Sequence, residues 1–351
     1  VAQVAAPQQN MKVLDLAAAP GGKTTHLLSY LNNTGILVSN EINPKRSKVL
    51  VENIERFGAR NVVVTNESAG RLSQVFQGYF DLIVLDAPCS GEGMFRKQPE
   101  AMEYWSESYP AQCAQLQREI LEDTIKMLAT NGELIYSTCT WAPEENEKIV
   151  DWLLENYPLE LVEIPKINGM VAGIHFSETA RMYPHHFKGE GQFVAKFRFC
   201  GEQSAKKIKT RKSCLTSEQK MLWKEFQREH LAIELTGELQ TFGEYLYLLP
   251  LGLPDLSKLK IARNGLHLGV FKKKRFEPSF ALGLTLKPSE VKHIIEIDEE
   301  QFKKYVAGEI VNLHQNTANG WYQVVVQGNG LGFAKVTGNI LKNYFPKGLR
   351  F

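Results

Sequence analysis

Cysteine is scarce in this sequence, five in 351 residues, an odd number with no spacing that suggests a disulfide framework. That fits a reducing compartment and excludes a disulfide-stapled secreted scaffold. Metal-ligand spacings are missing as well. There is no C-x-x-C and no H-E-x-x-H, and His185 and His186 are adjacent, a poor arrangement for two ligands on one helix face, so no metal is expected. Long apolar runs are also absent. Stretches such as Leu82 to Leu85 fall far short of the ~18 residues a spanning helix needs, and no charged-then-apolar leader opens the chain. The expectation is a cytoplasmic protein with no membrane association. An initiator Met is lacking too, since the chain opens at Val1, and it reads as a piece of a longer or processed protein.

What is present is ordinary globular material: 43% hydrophobic, 23% charged and 10% aromatic residues, which excludes wholesale disorder. The length allows two or three domains. The net charge of +2 hides an asymmetry, because residues 1–200 carry 18 Lys+Arg against 24 Asp+Glu, whereas residues 201–351 carry 23 against 15. A basic module beside an acidic one points to a polyanion, nucleic acid first, or else to a solvated lysine-rich surface.

From residue 11 short β-rich runs alternate with helical stretches. Strands are expected over 12–17, 35–40, 61–65, 80–86 and 132–137, with helices over 22–31 and near 44–57, 111–129 and 144–155. Such alternation predicts an α/β domain with a parallel, doubly wound, Rossmann-like sheet, whose ligands bind at the carboxyl ends of the strands. Residues 190–199 read as a closing strand, so the first domain is placed at 1–200. A basic linker at 201–213 opens a small α+β module ending near 285, with a helix near 217–231 and strands near 244–249 and 267–271. The β-rich segment 286–351 contains two strands, 320–326 and 331–336, around a turn at 327–330.

The first crossover, Asp15-Leu-Ala-Ala-Ala-Pro-Gly-Gly-Lys-Thr24, runs from a strand through small residues into a helix. Gly21 and Gly22 permit unusual dihedrals, and amides at the helix start can hold a carboxylate or phosphate. Simple punctuation between strand and helix is the plain alternative. A P-loop needs Gly at the position that Ala17 occupies, and G-x-G-x-x-G is absent, so nucleotide phosphates and dinucleotides are disfavoured. A small adenosyl cofactor remains. Glu41, at the end of the second strand, can accept both ribose hydroxyls, and together with the turn it favours S-adenosylmethionine.

Two cysteines fall at two strand ends, in Asp86-Ala-Pro-Cys-Ser-Gly91 and Ser137-Thr-Cys-Thr140. Cys113, Cys200 and Cys214 are read as small buried hydrophobes. Cys89 and Cys139 instead border one cleft. Carbon 5 of a pyrimidine becomes nucleophilic only after a thiolate adds at carbon 6, so two facing thiols beside a methyl donor suit carbon-5 methylation. One attacks and the other assists release. Asp86 is placed to accept from the amino group of cytosine or, if protonated, to donate to the ring nitrogen.

These motifs resemble the Nop/Sun family of RNA cytosine-carbon-5 methyltransferases. The resemblance rests on residues 17–24, Asn40-Glu41, Asp86 to Gly93, Tyr136 to Glu147, Arg181-Met-Tyr-Pro-His185 and Gly189 to Phe193. The basic tail is similar to that of the bacterial RsmF type, which carries a small linker domain and a PUA-like RNA-binding domain. The resemblance implies Cys139 as nucleophile, Cys89 as the release cysteine, and Asp86 bridging cofactor and base, with Lys23 reaching the substrate pocket. It implies that Ala17, Ala18, Ala19, Pro20, Gly21, Gly22, Lys23, Glu41 and Asp86 hold S-adenosylmethionine, released as S-adenosylhomocysteine. Where the family has an Asp at the adenine, alignment places Ser68, with Glu67 as a substitute, and Gln192 replaces an aromatic, read as a packing matter. The implied substrate is cytosine in small-subunit (16S) ribosomal RNA, and the protein is expected to be a monomer. The alternatives are the same chemistry on transfer RNA and an RNA-binding ribosome-assembly factor without catalysis. In the tail, Trp321 and Tyr322 are read as core before RNA contacts, and Lys272, Lys273, Lys274 and Arg275 as phosphate-neutralising.

Overall fold

The computed structural model describes residues 1–186, 188–203, 215–313 and 316–351. Most of the expected linker and Cys214 lie outside the described residues. Two compact units are present, one of Val1–Leu50, Val63–Thr210 and Leu253–Ala262, the other of Val51–Val62, Arg211–Gly252 and Arg263–Phe351. Residues 253–262 thus group with the first unit, within the span read as one contiguous module over 201–285. Among the described residues no helix is long and apolar enough to cross a membrane.

The first unit is built on β1 (Lys12–Asp15), β2 (Ile36–Asn40), β3 (Val62–Thr65), β4 (Phe80–Asp86) and β5 (Leu128–Thr138). Helices α1 (Ala2–Ala5), α2 (Gly22–Leu31), α3 (Pro44–Phe57), α4 (Ala69–Val75), α5 (Tyr109–Ile125) and α6 (Glu147–Asn156) belong to this stretch of chain. Short strands β6 (Leu159–Leu161), β7 (Val171–Ala172) and β8 (Ala180–Met182) precede β9 (Gln192–Phe199). The sheet order places β3, β2, β1, β4 and β5 side by side, followed by β9, β8 and β7, and β12 (Ile261–Arg263) lies outside β3. β1 pairs in parallel with β2 and with β4, β4 with β5, and β9 closes the sheet antiparallel to β5.

The central strands are apolar on both faces because helices cover both. Val13, Leu14, Leu37, Val38, Ile83, Val84, Leu134 and Ile135 are all fully buried. Strand order reverses between β1 and β4, and a crevice opens there at the carboxyl ends, which carry Asp15, Asn40, Asp86 and Thr138. β5 starts four residues before the expected Gly132. Its register slips against β4 between Phe80 and Leu82, where Gly132 fits only because a Cβ would fall 2.9 Å from the Phe80 carbonyl. The sequence pattern gives no hint of α4, whose seven residues include a glycine.

In the second unit, α7 (Ser217–His230) begins with a capping box at Thr216 and Gln219. β10 (Glu238–Phe242), β11 (Tyr245–Leu249), β13 (Leu266–Lys272) and β14 (Arg275–Pro278) form one antiparallel sheet. After α8 (Phe280–Thr285), β15 (Ile294–Glu296), α9 (Glu299–Ala307) and β16 (Val311–Asn312), the strands β17 (Gly320–Val326), β18 (Asn329–Thr337) and β19 (Ile340–Lys342) complete a five-stranded sheet. Gln327 and Gly328, both at positive φ, make the two-residue turn between β17 and β18. Trp321 is 8% exposed and packs in the core with Trp223, Phe226 and Phe333, as the core reading expects. In the basic quartet, Lys272 pairs with Glu244 and Arg275 with Glu277, and Lys273 and Lys274 form the exposed turn.

Candidate active site

Backbone bonds between strand ends set the crevice floor. The Asn40 side chain donates to the carbonyls of Leu16 (3.1 Å) and Glu67 (2.9 Å), and its Oδ1 accepts from Thr65 Oγ1 (2.7 Å), so one buried amide ties the ends of β1, β2 and β3 together. Ala18 N–H donates to the Asn40 carbonyl at 2.8 Å. Ala17, Ala18, Ala19 and Pro20 make the turn into α2, with a cis bond between Ala19 and Pro20. Gly21 has φ +116°, a conformation that favours glycine, and a Cβ on Gly22 would meet nothing within 4 Å. Gly22 at the first turn of α2 thus borders open space, and among the described residues no side chain caps the helix. Beneath it, buried Asp15 accepts from Thr24 Oγ1 through Oδ2 (2.6 Å), while its Oδ1 has no hydrogen-bond partner among the described residues.

Glu41 is 2% exposed. It accepts from Asn43 N–H (2.9 Å) and lies 3.5 Å from Arg46, whose guanidinium also donates to the Ala19 carbonyl (2.6 Å). Ser68 caps α4, its hydroxyl accepting from Arg71 N–H, and Glu67 accepts from Lys260 N–H at 2.8 Å. Each of those two side chains thus has a structural partner.

At the next two strand ends the expected groups converge. Lys23 Nζ donates to Asp86 Oδ2 at 2.6 Å; Ser137 Oγ (2.6 Å) and Gln192 Nε2 (3.2 Å) donate to Oδ1. With three donors on its two oxygens, Asp86 is held as an acceptor. Gln192 is therefore more than packing: its amide reaches Asp86, because β9 lies beside β5 and its first residue stands level with the site. Cys89 and Cys139 bring their sulfurs to 3.2 Å, and Cys139 N–H points at Cys89 Sγ at 3.3 Å. The Cys139 thiol is held below its ordinary value by the Cys89 hydrogen bond, with Lys23 adding to the effect against burial and Asp86. Cys89 is pushed far up by donating that bond and by burial. These directions favour Cys139 as the thiolate of the pair and Cys89 as the thiol.

Motif residues that carry no assigned role hold these loops. Buried Glu145 accepts from Ser90 N–H (3.1 Å), Ser90 Oγ and Gln117 Nε2 (2.7 Å), and burial raises its carboxyl above the ordinary range. Gln117 also donates to the Pro88 carbonyl (2.9 Å) and accepts from Tyr136 OH (2.9 Å). Glu92 accepts from Thr140 Oγ1, Trp141 N–H (2.9 Å) and Trp105 Nε1 (3.0 Å). Gly93 N–H donates to the Cys139 carbonyl at 2.9 Å. The signal available in sequence was a charged residue inside each motif with nothing to do, and a glutamine on the apolar face of α5 with Cys113, Ala114 and Leu121. Of the remaining cysteines, Cys113 is buried as expected, but Cys200, which follows the last residue of β9, is exposed.

Residues 2–198 match the family described as 16S rRNA methyltransferase RsmB/F. The chain belongs to that family. Residues 225–286 match the first C-terminal domain of RsmF rRNA methyltransferase, and residues 292–351 match the methyltransferase RsmF PUA domain. Ribosomal RNA small subunit methyltransferase F of Shewanella loihica is 32% identical over 97% of this chain and 72% of its own length. The same-named protein of Escherichia coli is 31% identical over 98% of the chain and 74% of its length. A crystal structure of NSun6 from Pyrococcus horikoshii with SFG superposes with a TM-score of 0.53 at 34% identity, covering 57% of this chain and 51% of that one. The chain thus spans about half of that solved protein. Membership in the RsmB/F family makes this chain one of the S-adenosylmethionine-dependent rRNA methyltransferases, with the expected Rossmann-like catalytic fold and a PUA domain.

Proposed function

We propose that the chain methylates carbon 5 of cytosine in small-subunit ribosomal RNA, acting as a monomer in the cytoplasm, through a covalent adduct of Cys139. The observation that carries this reading is the pair of sulfurs 3.2 Å apart at the ends of β4 and β5, beside Asp86. The cofactor cradle fits: the space before Gly22 is open, the α2 amides face it, and buried Glu41 stands at the end of β2. Ala17 to Lys23 would hold the methionine part, Glu41 the ribose, Ser68 or Glu67 the adenine, and Asp86 would bridge to the base. When bound, S-adenosylmethionine supplies an electrophilic methyl group.

The remaining chemistry belongs to the protein's side chains. Asp86 accepts from the cytosine amino group and orients the ring, and Lys23 fixes the carboxylate. Cys139, as thiolate, adds to carbon 6 and places electron density on carbon 5. After methylation the carbon-5 proton leaves to solvent, the carbon–sulfur pair returns to Cys139, and Cys89 donates a hydrogen bond to the departing thiolate. The sequence divides in this reading into a catalytic part (1–200), a linker domain (201–285) and an RNA-binding part (286–351), the last two adding affinity for ribosomal RNA.

Full chain with Cys89→Ala, incubated with S-adenosylmethionine and undermethylated small-subunit particles, is expected to leave a covalent protein–RNA band on a denaturing gel. Adding Cys139→Ala removes it. An adduct that requires Cys89 reverses the two roles, and no adduct in either variant overturns the mechanism.

A further inference from the structure

A row of stacked rings leads away from the nucleophile segment. Trp141, two residues after Cys139, stacks on Tyr183 with centroids 5.1 Å apart and planes 22° from parallel, and Tyr183 stacks on His185 at 5.5 Å and 25°. One end of the row is fixed. Trp141 N–H donates to Glu92 at 2.9 Å, its carbonyl accepts from Arg181 at 3.2 Å, and Gly191 lets the indole lie against backbone, since a Cβ there would fall 2.0 Å from it. The other end reaches solvent: Trp141 and Tyr183 are half-buried, while His185 is exposed together with His186, whose ring lies T-shaped against it with centroids 4.2 Å apart. Core aromatics are shielded from water. This row is near-parallel, carries polar tips and ends in solvent.

Single-stranded RNA is bound by stacking unpaired bases on such faces, and a nucleotide whose neighbour has been flipped out has lost one stacking partner. We propose that Trp141, Tyr183 and His185 form a stacking platform for a nucleobase adjoining the target cytosine, which rests on the solvent-exposed part of the His185 ring. The inference depends on the RNA-methyltransferase reading and adds to it the contact that positions the neighbouring nucleotide.

The test uses the full chain and short single-stranded oligoribonucleotides with one cytosine and 2-aminopurine on its 5′ or its 3′ side. Binding to the wild type is expected to quench one of the two. Tyr183→Ala and His185→Ala should abolish that quenching and weaken binding by roughly 10-fold or more, the scale of one lost base stack. His185→Phe, which keeps a flat ring, should retain both. Wild-type affinity and quenching in the alanine variants overturn the platform, as does quenching of neither oligonucleotide. Two outcomes separate the platform from the reading beneath it. Quenching by the wild type with no trapped adduct in Cys89→Ala upholds the platform and overturns the cytosine mechanism. An adduct formed equally by Cys89→Ala with and without His185→Ala, at limiting RNA, overturns the platform alone.

Discussion

Asp15 gives the fold a pH dependence that can be worked out from its surroundings. It is fully buried at the end of β1, one oxygen accepts from Thr24 and the other has no partner among the described residues. Burial pushes its carboxyl from the ordinary 3.8 to about 6, against the opposing effects of the Thr24 bond and Lys23. Each pH unit between folded and unfolded values corresponds to about 1.4 kcal/mol, so the charge destabilises the fold by on the order of 3 kcal/mol once both states are ionised. The sign follows from which state ionises first. Below about pH 4 both states are protonated and nothing is lost; as pH rises the unfolded chain ionises first and stability falls, and above about pH 6 the loss is complete. Asp15→Asn keeps the shape and an acceptor for Thr24 but stays neutral. Urea unfolding of wild type and variant across this range cancels all other titrating groups in the difference. The two should coincide near pH 4, and the variant should be the more stable by up to about 3 kcal/mol near pH 7.5. A difference that stays constant with pH refutes the reasoning.

Two other substitutions follow from packing around the site. Arg181, 2% exposed, donates twice to buried Glu147 at 2.9 and 2.5 Å, so Arg181→Ala leaves a buried carboxylate without its counter-charge, held by the Ile174 N–H, and should cost about 3–5 kcal/mol by thermal or urea unfolding. A loss below about 1 kcal/mol would contradict that. In Gly93→Ala the new Cβ would lie 2.8 Å from the Cys139 carbonyl and 2.9 Å from Gly191 Cα, both backbone. Because neither neighbour can swing away, the segment carrying Cys139 must shift, and adduct formation should fall by roughly 10-fold or more with S-adenosylmethionine binding retained. An unchanged adduct rate would show that the segment tolerates displacement.

Period and punctuation made the parallel sheet and the crevice at its switch point legible in the sequence: α2 and β4 have the boundaries their patterns predict. The strand ends then named the crevice residues, because in such a sheet whatever follows a strand faces the ligand edge. Interactions between distant segments were not legible. Gln192 reaches Asp86 across 106 positions, and Glu145 holds Ser90 across 55. No local pattern encodes which polar residue will bridge two loops. Ser68 illustrates the converse: its type suits a ligand contact, but serine before a helix equally satisfies an unpaired amide, and that local bond forms here. Trp321 differs, since an aromatic in an alternating strand belongs on the inner face, and it lies there.

The roles proposed for the two thiols turn on an asymmetry, not on proximity. Both sulfurs are 3.2 Å apart, so distance cannot say which attacks. Cys139 receives the Cys89 hydrogen bond and the field of Lys23, both favouring its thiolate, whereas Cys89 gains only the Cys139 N–H against burial, the proton it donates and the charge of Glu145. It follows that removing Cys89 weakens Cys139 as a nucleophile while preventing release. Iodoacetamide labelling of Cys139, read by peptide mass spectrometry against pH, should have its midpoint below the ordinary thiol value in the wild type and at higher pH in Cys89→Ala. The direction is fixed by the bond: without its donor the thiolate loses the largest of its stabilising contacts, leaving Lys23 and a backbone amide against burial and Asp86. Identical midpoints would mean that the proton of the pair does not reside on Cys89, and the attack would have to be reassigned.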